Sequence, residues 1–305
     1  MHSHSPTVEP QDMTLSKHAS NVHAATKIAL SKRKDKDAEN SAIIKPYCDA
    51  ARFIPHAINP FIRVQEIMKI GFFEWISLTG DKIIQQIVKE LPEETLADEL
   101  DKFDHAMDLV PGFQGLLHDF TNDYSKMLDF FDFNFEKLND QASSGQSDDS
   151  KQLKWQALKY LLEDPKVMLE PPLTRIYEGV TKSGIRGFYH PVCARLLCPQ
   201  QELVAFDKDP DAFMDEVITG SRTITENSWP SFLYDPTLYN PAGCNDQGLL
   251  HGHYLIHVYC HLITGLASAL NPGKHSKHTH QPKCHIHQYY KSDPYTIAYV
   301  AVQVT

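Results

Sequence analysis

The chain has 305 residues, of which 42% are apolar, and it carries a formal net charge of −10 at pH 7. This length suits one large domain or two of ordinary size, and it can bury a sizeable core without disulfides. Because an acidic surface repels phosphate backbones, we expect protein partners rather than nucleic acid.

The N-terminus predicts a protein that is not secreted. It has no basic segment followed by an apolar run, so it is not a secretory signal. The six cysteines are spread widely and lack the density of a disulfide scaffold. We therefore expect free thiols and a cytoplasmic or nuclear location.

Residues 1–42 are polar and contain no aromatic residue. Such a segment cannot bury enough apolar surface to offset the entropy of ordering the chain, so we predict a disordered tail. Its basic run SKRKDK (31–36) has the composition of a nuclear-import patch. A solvated charge run is the simpler explanation.

Residues 43–140 are predicted as an acidic helical region. Within it, residues 81–140 hold fifteen acidic residues against five basic ones. The simplest interpretation is the solvated outer face of an antiparallel helical layer. The sharper interpretation is a surface for a basic partner protein.

The segment QASSGQSDDS (141–150) is polar and rich in Gly and Ser, which predicts a loop and the best candidate boundary in the chain. Asp149 precedes Gln152 by three residues, the spacing of a capping box, so we expect it to cap the next helix. Residues 151–305 are predicted as a helical core region with histidine and aromatic motifs. We expect 43–305 to form one composite domain.

Two later helices have clear start signals. His190 precedes Pro191, and Asp209 precedes Pro210, which places a proline at the first helical position in each case. The segment from Trp229 to Gly243 is rich in aromatic residues and is interrupted by three prolines, which exclude a long helix or a central strand. The fold class is therefore mainly α, an irregular multi-helix globular domain with a proline-rich aromatic connector.

The stretch from Gly248 to Leu270 contains no Asp, Glu, Lys or Arg, but it holds four histidines. These make it too polar for a helix whose side chains face lipid, so we predict a buried helix and no membrane association. His253, His257 and His261 are spaced by four and would stack along one helix face.

Several segments resemble a family of unknown function from mushroom-forming fungi. The most specific are RLLCP (195–199), WPSFLYD (229–235) and IAY (297–299), and the resemblance extends from Ile43 to Val304. It implies a mainly helical intracellular protein and supplies no activity, substrate or cofactor. The family pattern continues with apolar and aromatic residues beyond IAY, so we expect this chain to be truncated at its C-terminus.

The resemblance also selects a set of candidate metal ligands, because His190, Cys198, His261 and His287 stand where the family has similar residues. Imidazole and thiolate are zinc ligands, so the alternative function is a zinc-stabilised helical domain, associated with the nucleus and nucleic acid. His253, His257, Cys193 and Cys284 depart from the family pattern. No close Cys-x-x-Cys pair and no HExxH motif supports zinc independently.

A Cys198 nucleophile with His261 as its base is the enzymatic alternative. It is the weaker one, since the end of a helix raises the pKa of a thiol. The chain lacks the GxxxxGK[ST], GxGxxG and GxSxG motifs, so nucleotide-dependent and serine-hydrolase activities have no support. The sequence therefore favours a non-enzymatic protein-interaction module without assigned catalytic residues or cofactor.

Overall fold

Helices dominate the computed structural model. It describes residues 24, 38–77, 93–110, 112–115, 124–164, 167–173, 186–225, 227–243, 246–270, 283–287, 289 and 292–304. Within these ranges there is no β-strand, and only two isolated bridges join Pro199 to Pro230 and Tyr234 to Leu249. The prediction of a mainly α fold is confirmed. The predicted disordered tail, 1–42, lies outside the described residues apart from Ala24 and 38–42, and the latter begin the first helix.

The α-helices of the described residues are α1 Ala38–Ala51, α2 Ile54–Ala57, α3 Val64–Ser77, α4 Glu93–Leu109, α5 Tyr124–Gln156, α6 Pro191–Leu197, α7 Leu203–Lys208, α8 Pro210–Ile218, α9 His253–Tyr259, α10 Leu266–Leu270, α11 Lys283–Ile286 and α12 Pro294–Val304. Short 3-10 turns cover Ala157–Tyr160, Gly187–Tyr189, Gln200–Glu202 and Ser231–Leu233. A π-helical segment, Cys260–Thr264, follows α9 directly.

The chain divides into two compact units, Met1–Gln146 and Ser147–Thr305, so that α5 contributes to both. The core of the first unit is aromatic at its centre. The Phe135 ring lies 6.4 Å from that of Phe72 and 6.3 Å from that of Phe113, which in turn contacts Tyr47. Tilted and edge-on ring pairs of this kind stabilise a core beyond the area they bury. The single composite domain over 43–305 stays a prediction.

The prediction of a loop over 141–150 is wrong, because these residues continue α5. Ala142, Gly145 and Asp149 are all buried, at the three- and four-residue spacing of one helix face. At Gly145 a Cβ would lie 2.7 Å from the carbonyl oxygen of Arg52, so only glycine permits this close approach. The small residues therefore reflect helix packing, although their composition is also typical of a loop.

The predicted helix starts in the second unit are confirmed. Asp209 caps α8 by accepting a hydrogen bond from the backbone N–H of Ala212 at 3.1 Å, with Pro210 in the first turn. Phe213 of α8 then packs edge-on against Phe206 of α7, with ring centroids 5.4 Å apart. These local signals fix the small cluster around α6, α7 and α8.

The prediction of one buried helix from Gly248 to Leu270 is confirmed only in part, because the stretch is buried along one side and is not a single helix. Residues 253–259 form α9. The backbone hydrogen bonds then change from the α-helical to the π-helical pattern, and α10 begins after Gly265. Leu255, Val258 and Leu262 are almost fully buried. None of the helices described here is both long and apolar enough to cross a membrane.

Candidate functional site

His190 is the N-cap of α6, and both of its ring nitrogens are engaged. Nδ1 accepts a hydrogen bond from the backbone N–H of Val192 at 3.2 Å, which requires the proton on Nε2. Nε2 then donates to the carbonyl oxygen of Pro171 at 2.8 Å. The side chain thus satisfies an unpaired donor of the helix N-terminus, which is a structural role.

Cys198 ends α6 and is fully buried beside Phe206 and Phe213. Its thiol donates a weak hydrogen bond to the carbonyl oxygen of Pro199 at 3.5 Å. Burial, with smaller contributions from nearby carboxylates, raises the pKa of this thiol to about 12. A thiol with that pKa stays protonated at neutral pH and is a poor nucleophile.

His261 lies in the π-helical segment and is 3% exposed. Its Nδ1 is 2.7 Å from the hydroxyl of Tyr160, and the ring of His257 stacks on the same tyrosine. Nε2 is buried and makes no hydrogen bond to any described residue. Burial lowers the pKa of His261, and the charges of Lys159 and Lys283 lower it further.

His287 follows α11 and is partly exposed, and its backbone N–H donates to the carbonyl oxygen of Lys283 at 2.9 Å. In the part of the chain that the structure describes, no three His, Cys, Asp or Glu side chains are arranged to hold a metal ion. The predicted ligands His190, Cys198, His261 and His287 are not brought together as such a group. The zinc site stays a prediction that rests on the sequence.

The buried carboxylate of Asp149 links three helices of the second unit, a role that the sequence does not predict. Asp149 of α5 is 4% exposed, and it accepts hydrogen bonds from the ammonium of Lys283 at 2.6 Å and the hydroxyl of Tyr299 at 2.8 Å. The prediction that it is an N-cap is wrong, because it lies inside α5 rather than at its start. No local pattern signals a contact between residues this far apart in the chain.

The second unit also contains a pocket of about 390 Å³, within the size range of small-molecule sites. Its wall is largely apolar, formed in part by Leu153, Leu158, Leu161, Leu196, Leu197 and Phe232. The polar groups on it include Lys154, Arg186 and Tyr254. The sequence does not predict this site, since its residues come from six segments of the chain.

Close backbone packing at Gly252 holds one wall of the pocket in place. A Cβ at this position would lie 2.0 Å from the carbonyl oxygen of Phe232, and the Gly252 N–H donates to the carbonyl oxygen of Leu233 at 3.2 Å. The aromatic connector is thereby fixed against the start of α9. As a result, Phe232 packs edge-on against Tyr254, with ring centroids 5.8 Å apart.

Comparison with known proteins gives a family but no activity. A family model described as a family of unknown function, DUF6698, matches residues 140–305. The match covers all of the second unit but only residues 140–146 of the first, although the resemblance extended back to Ile43. The fungal origin and the C-terminal truncation stay predictions. No curated protein and no solved structure matches significantly. Since the matched residues make up more than half of the chain, the protein belongs to the DUF6698 family of unknown function.

Proposed function

We propose that this protein is a non-enzymatic interaction module that binds a basic segment of a partner protein through one face of α4. The observation that carries the proposal is the row Asp98, Asp101, Asp104 and Asp108, all exposed and spaced by three or four residues. This spacing aligns their carboxylates along one side of the helix.

The opposite face of α4 is fixed in the core of the first unit. Phe103, Ala106 and Met107 are buried there, so the helix cannot rotate to withdraw its aspartates from solvent. The acidic face is therefore presented in a constant orientation. Because the charges are already aligned, few of these side chains lose conformational freedom when a partner binds, and the entropic cost of association is smaller.

Part of this negative charge has no counterpart in the described chain. Lys102 pairs with Asp98 at 2.6 Å, and His105 lies 3.5 Å from Asp101 but offsets its charge only when protonated. Asp104 and Asp108 form no ion pair with any described residue. A lysine or arginine segment would supply the missing charge, whereas a nucleic acid would be repelled.

The chemistry of the candidate catalytic pair favours a binding role over an enzymatic one. Cys198 is buried with a raised thiol pKa, and His261 is hydrogen-bonded to Tyr160 rather than to a thiol. Neither group reaches the other as a nucleophile and its base would. We expect the module to act in the cytoplasm or nucleus, since the five cysteines among the described residues are free thiols.

Affinity capture with matched variants tests the proposal. Asp104→Asn/Asp108→Asn removes two charges at i and i+4 from the acidic face, and Glu136→Gln/Asp140→Asn removes two exposed charges at the same spacing from α5. We expect one or more basic proteins to be captured by the unmodified chain and the α5 variant but not by the α4 variant. Identical captured sets from all three, or chaperones alone, would contradict the proposal.

A further inference from the structure

A tyrosine side chain at the pocket of the second unit has no hydrogen-bond partner for its hydroxyl among the described residues. Tyr254 of α9 is 8% exposed and lines the pocket, and its ring is held against Phe232. Its phenol forms no hydrogen bond with any described residue. Buried tyrosine hydroxyls generally have a partner, as those of Tyr160 and Tyr299 do here, so this one is available to a bound molecule.

Two cationic residues, Lys154 and Arg186, line the same pocket, and neither forms an ion pair with a described acidic residue. The guanidinium of Arg186 stacks 4.1 Å above the Trp155 ring and donates one hydrogen bond to the carbonyl oxygen of Lys154 at 3.0 Å. Its Nε is buried and makes no hydrogen bond to the part of the chain that the structure describes. No aspartate or glutamate lines the described part of the pocket. The site is thus positively charged within an acidic protein.

Arg186 and Tyr254 act on the same part of the pocket. Burial raises the pKa of the Tyr254 phenol, and the nearby charge of Arg186 partly offsets that rise. The phenol therefore stays protonated and can donate a hydrogen bond. A guanidinium and a phenol that both donate are suited to an anionic oxygen, and the guanidinium plane favours a carboxylate.

We propose that this pocket binds a small aliphatic carboxylic acid, with its hydrocarbon chain among the leucines and its carboxylate between Arg186 and Tyr254. The apolar wall contributes affinity in proportion to the area it buries. The charged end selects against neutral and cationic molecules of the same shape, because an anionic group accepts from both donors and also balances the charge of Arg186. This site lies in the part of the chain that defines the family and is independent of the acidic face of α4.

Isothermal titration calorimetry of the full chain with monomeric decanoate tests this proposal. We expect decanoate to bind with a dissociation constant below about 1 mM, and decanol and decyltrimethylammonium to bind about tenfold or more weakly. Arg186→Gln should weaken decanoate binding by about tenfold or more. Lys151→Gln should leave it unchanged, because Lys151 lies on α5 one turn before Lys154 and does not line the pocket.

Tyr254→Phe gives the sharpest separation of binding from folding. Since the phenol has no hydrogen-bond partner among the residues that the structure describes, removing its hydroxyl should not lower the thermal midpoint, yet decanoate binding should weaken several-fold. Unchanged decanoate binding in this variant, or decanol binding as tight as decanoate, overturns the proposal. Methyl NMR spectra of the unmodified chain provide a test without substitutions, because bound decanoate should shift the methyl resonances of Leu158 and Leu197. Shifts confined to other leucines would overturn it as well.

Discussion

The hydroxyl of Tyr299 donates a hydrogen bond to the buried carboxylate of Asp149 at 2.8 Å, although the two residues lie 150 positions apart. Lys283 donates to the other carboxylate oxygen at 2.6 Å. The carboxylate thus joins α5, α11 and α12. Burial, together with the Asp149 charge, raises the pKa of the Tyr299 phenol, so the phenol remains a donor at any physiological pH.

Removing this carboxylate should destabilise the second unit. We expect Asp149→Ala to cost about 2–4 kcal/mol of unfolding free energy, since it removes the acceptor of the buried Tyr299 hydroxyl and of the partly exposed Lys283 ammonium. Tyr299→Phe should cost about 1.5–3 kcal/mol, the usual range for a hydrogen bond to a charged group. Chemical denaturation measures both. Asp148→Asn is the matched control, because its 3.5 Å ion pair with Lys151 is exposed and contributes little. An equal effect of Asp148→Asn and Asp149→Ala would contradict the assignment.

The close packing at Gly252 predicts a steric effect. Its φ of −61° is open to any residue, so Gly252→Ala tests contact rather than backbone conformation. We expect a loss of about 1–3 kcal/mol or more, because the added Cβ meets the backbone of Phe232 and not a flexible side chain. Gly115→Ala, with open space around the new Cβ, should be neutral or slightly stabilising. Denaturation midpoints decide between these outcomes, and equal midpoints would contradict the account.

Stability should decrease as the pH falls below about 6.5, the ordinary pKa of histidine. Burial lowers the pKa of His261, and that of His253 as well, so the unfolded chain binds more protons than the folded one in this range. Each such histidine contributes stability that is complete above the unfolded pKa and is lost at up to about 1.4 kcal/mol per pH unit toward the folded pKa.

Denaturation at pH 7.5 and 5.5 checks this linkage. His261→Gln should reduce the loss of stability between the two conditions, whereas the same change at the exposed His251 should leave it as it is. A loss of the same size in the unmodified chain and in His261→Gln would show that His261 does not contribute.

The zinc content of the purified protein distinguishes the interaction module from the zinc-stabilised domain. The proposed interaction module uses no metal, so it predicts that tag-free protein holds less than about a tenth of an equivalent of zinc. Inductively coupled plasma mass spectrometry measures this directly. About one equivalent in the unmodified chain, lost in His287→Gln, would favour the zinc-stabilised domain instead.

Local signals predicted the parts of the fold that local chemistry determines. The caps at His190 and Asp209 followed from neighbouring residues, and both form as expected. The buried side of the histidine-rich stretch also followed from its lack of charge, although the change to a π-helical segment at Cys260 had no sequence signal. Capping and burial depend on residues within one or two turns, which is why they are readable.

The features that sequence reasoning missed depend on distant contacts. A glycine such as Gly145 is typical of a loop, but it is equally typical of a helix that packs closely against another backbone. Only the position of the Arg52 carbonyl group shows that the second explanation applies. Asp149 has the spacing of a capping residue relative to Gln152. Its partners Lys283 and Tyr299 lie too far along the chain for a local pattern to indicate them. The pocket likewise combines segments whose proximity no periodicity reveals.

The central claim is that the acidic face of α4 binds a basic segment, and fluorescence anisotropy with a labelled helical peptide carrying lysines at i, i+3 and i+7 tests it most directly. We expect Asp104→Asn/Asp108→Asn to weaken binding about fivefold or more at low salt, and the difference to shrink as salt is added. Glu136→Gln/Asp140→Asn should remain within about twofold of the unmodified chain, since these charges lie on another helix. Equal weakening by the two variants would mean that net charge alone attracts the peptide, and would contradict the claim.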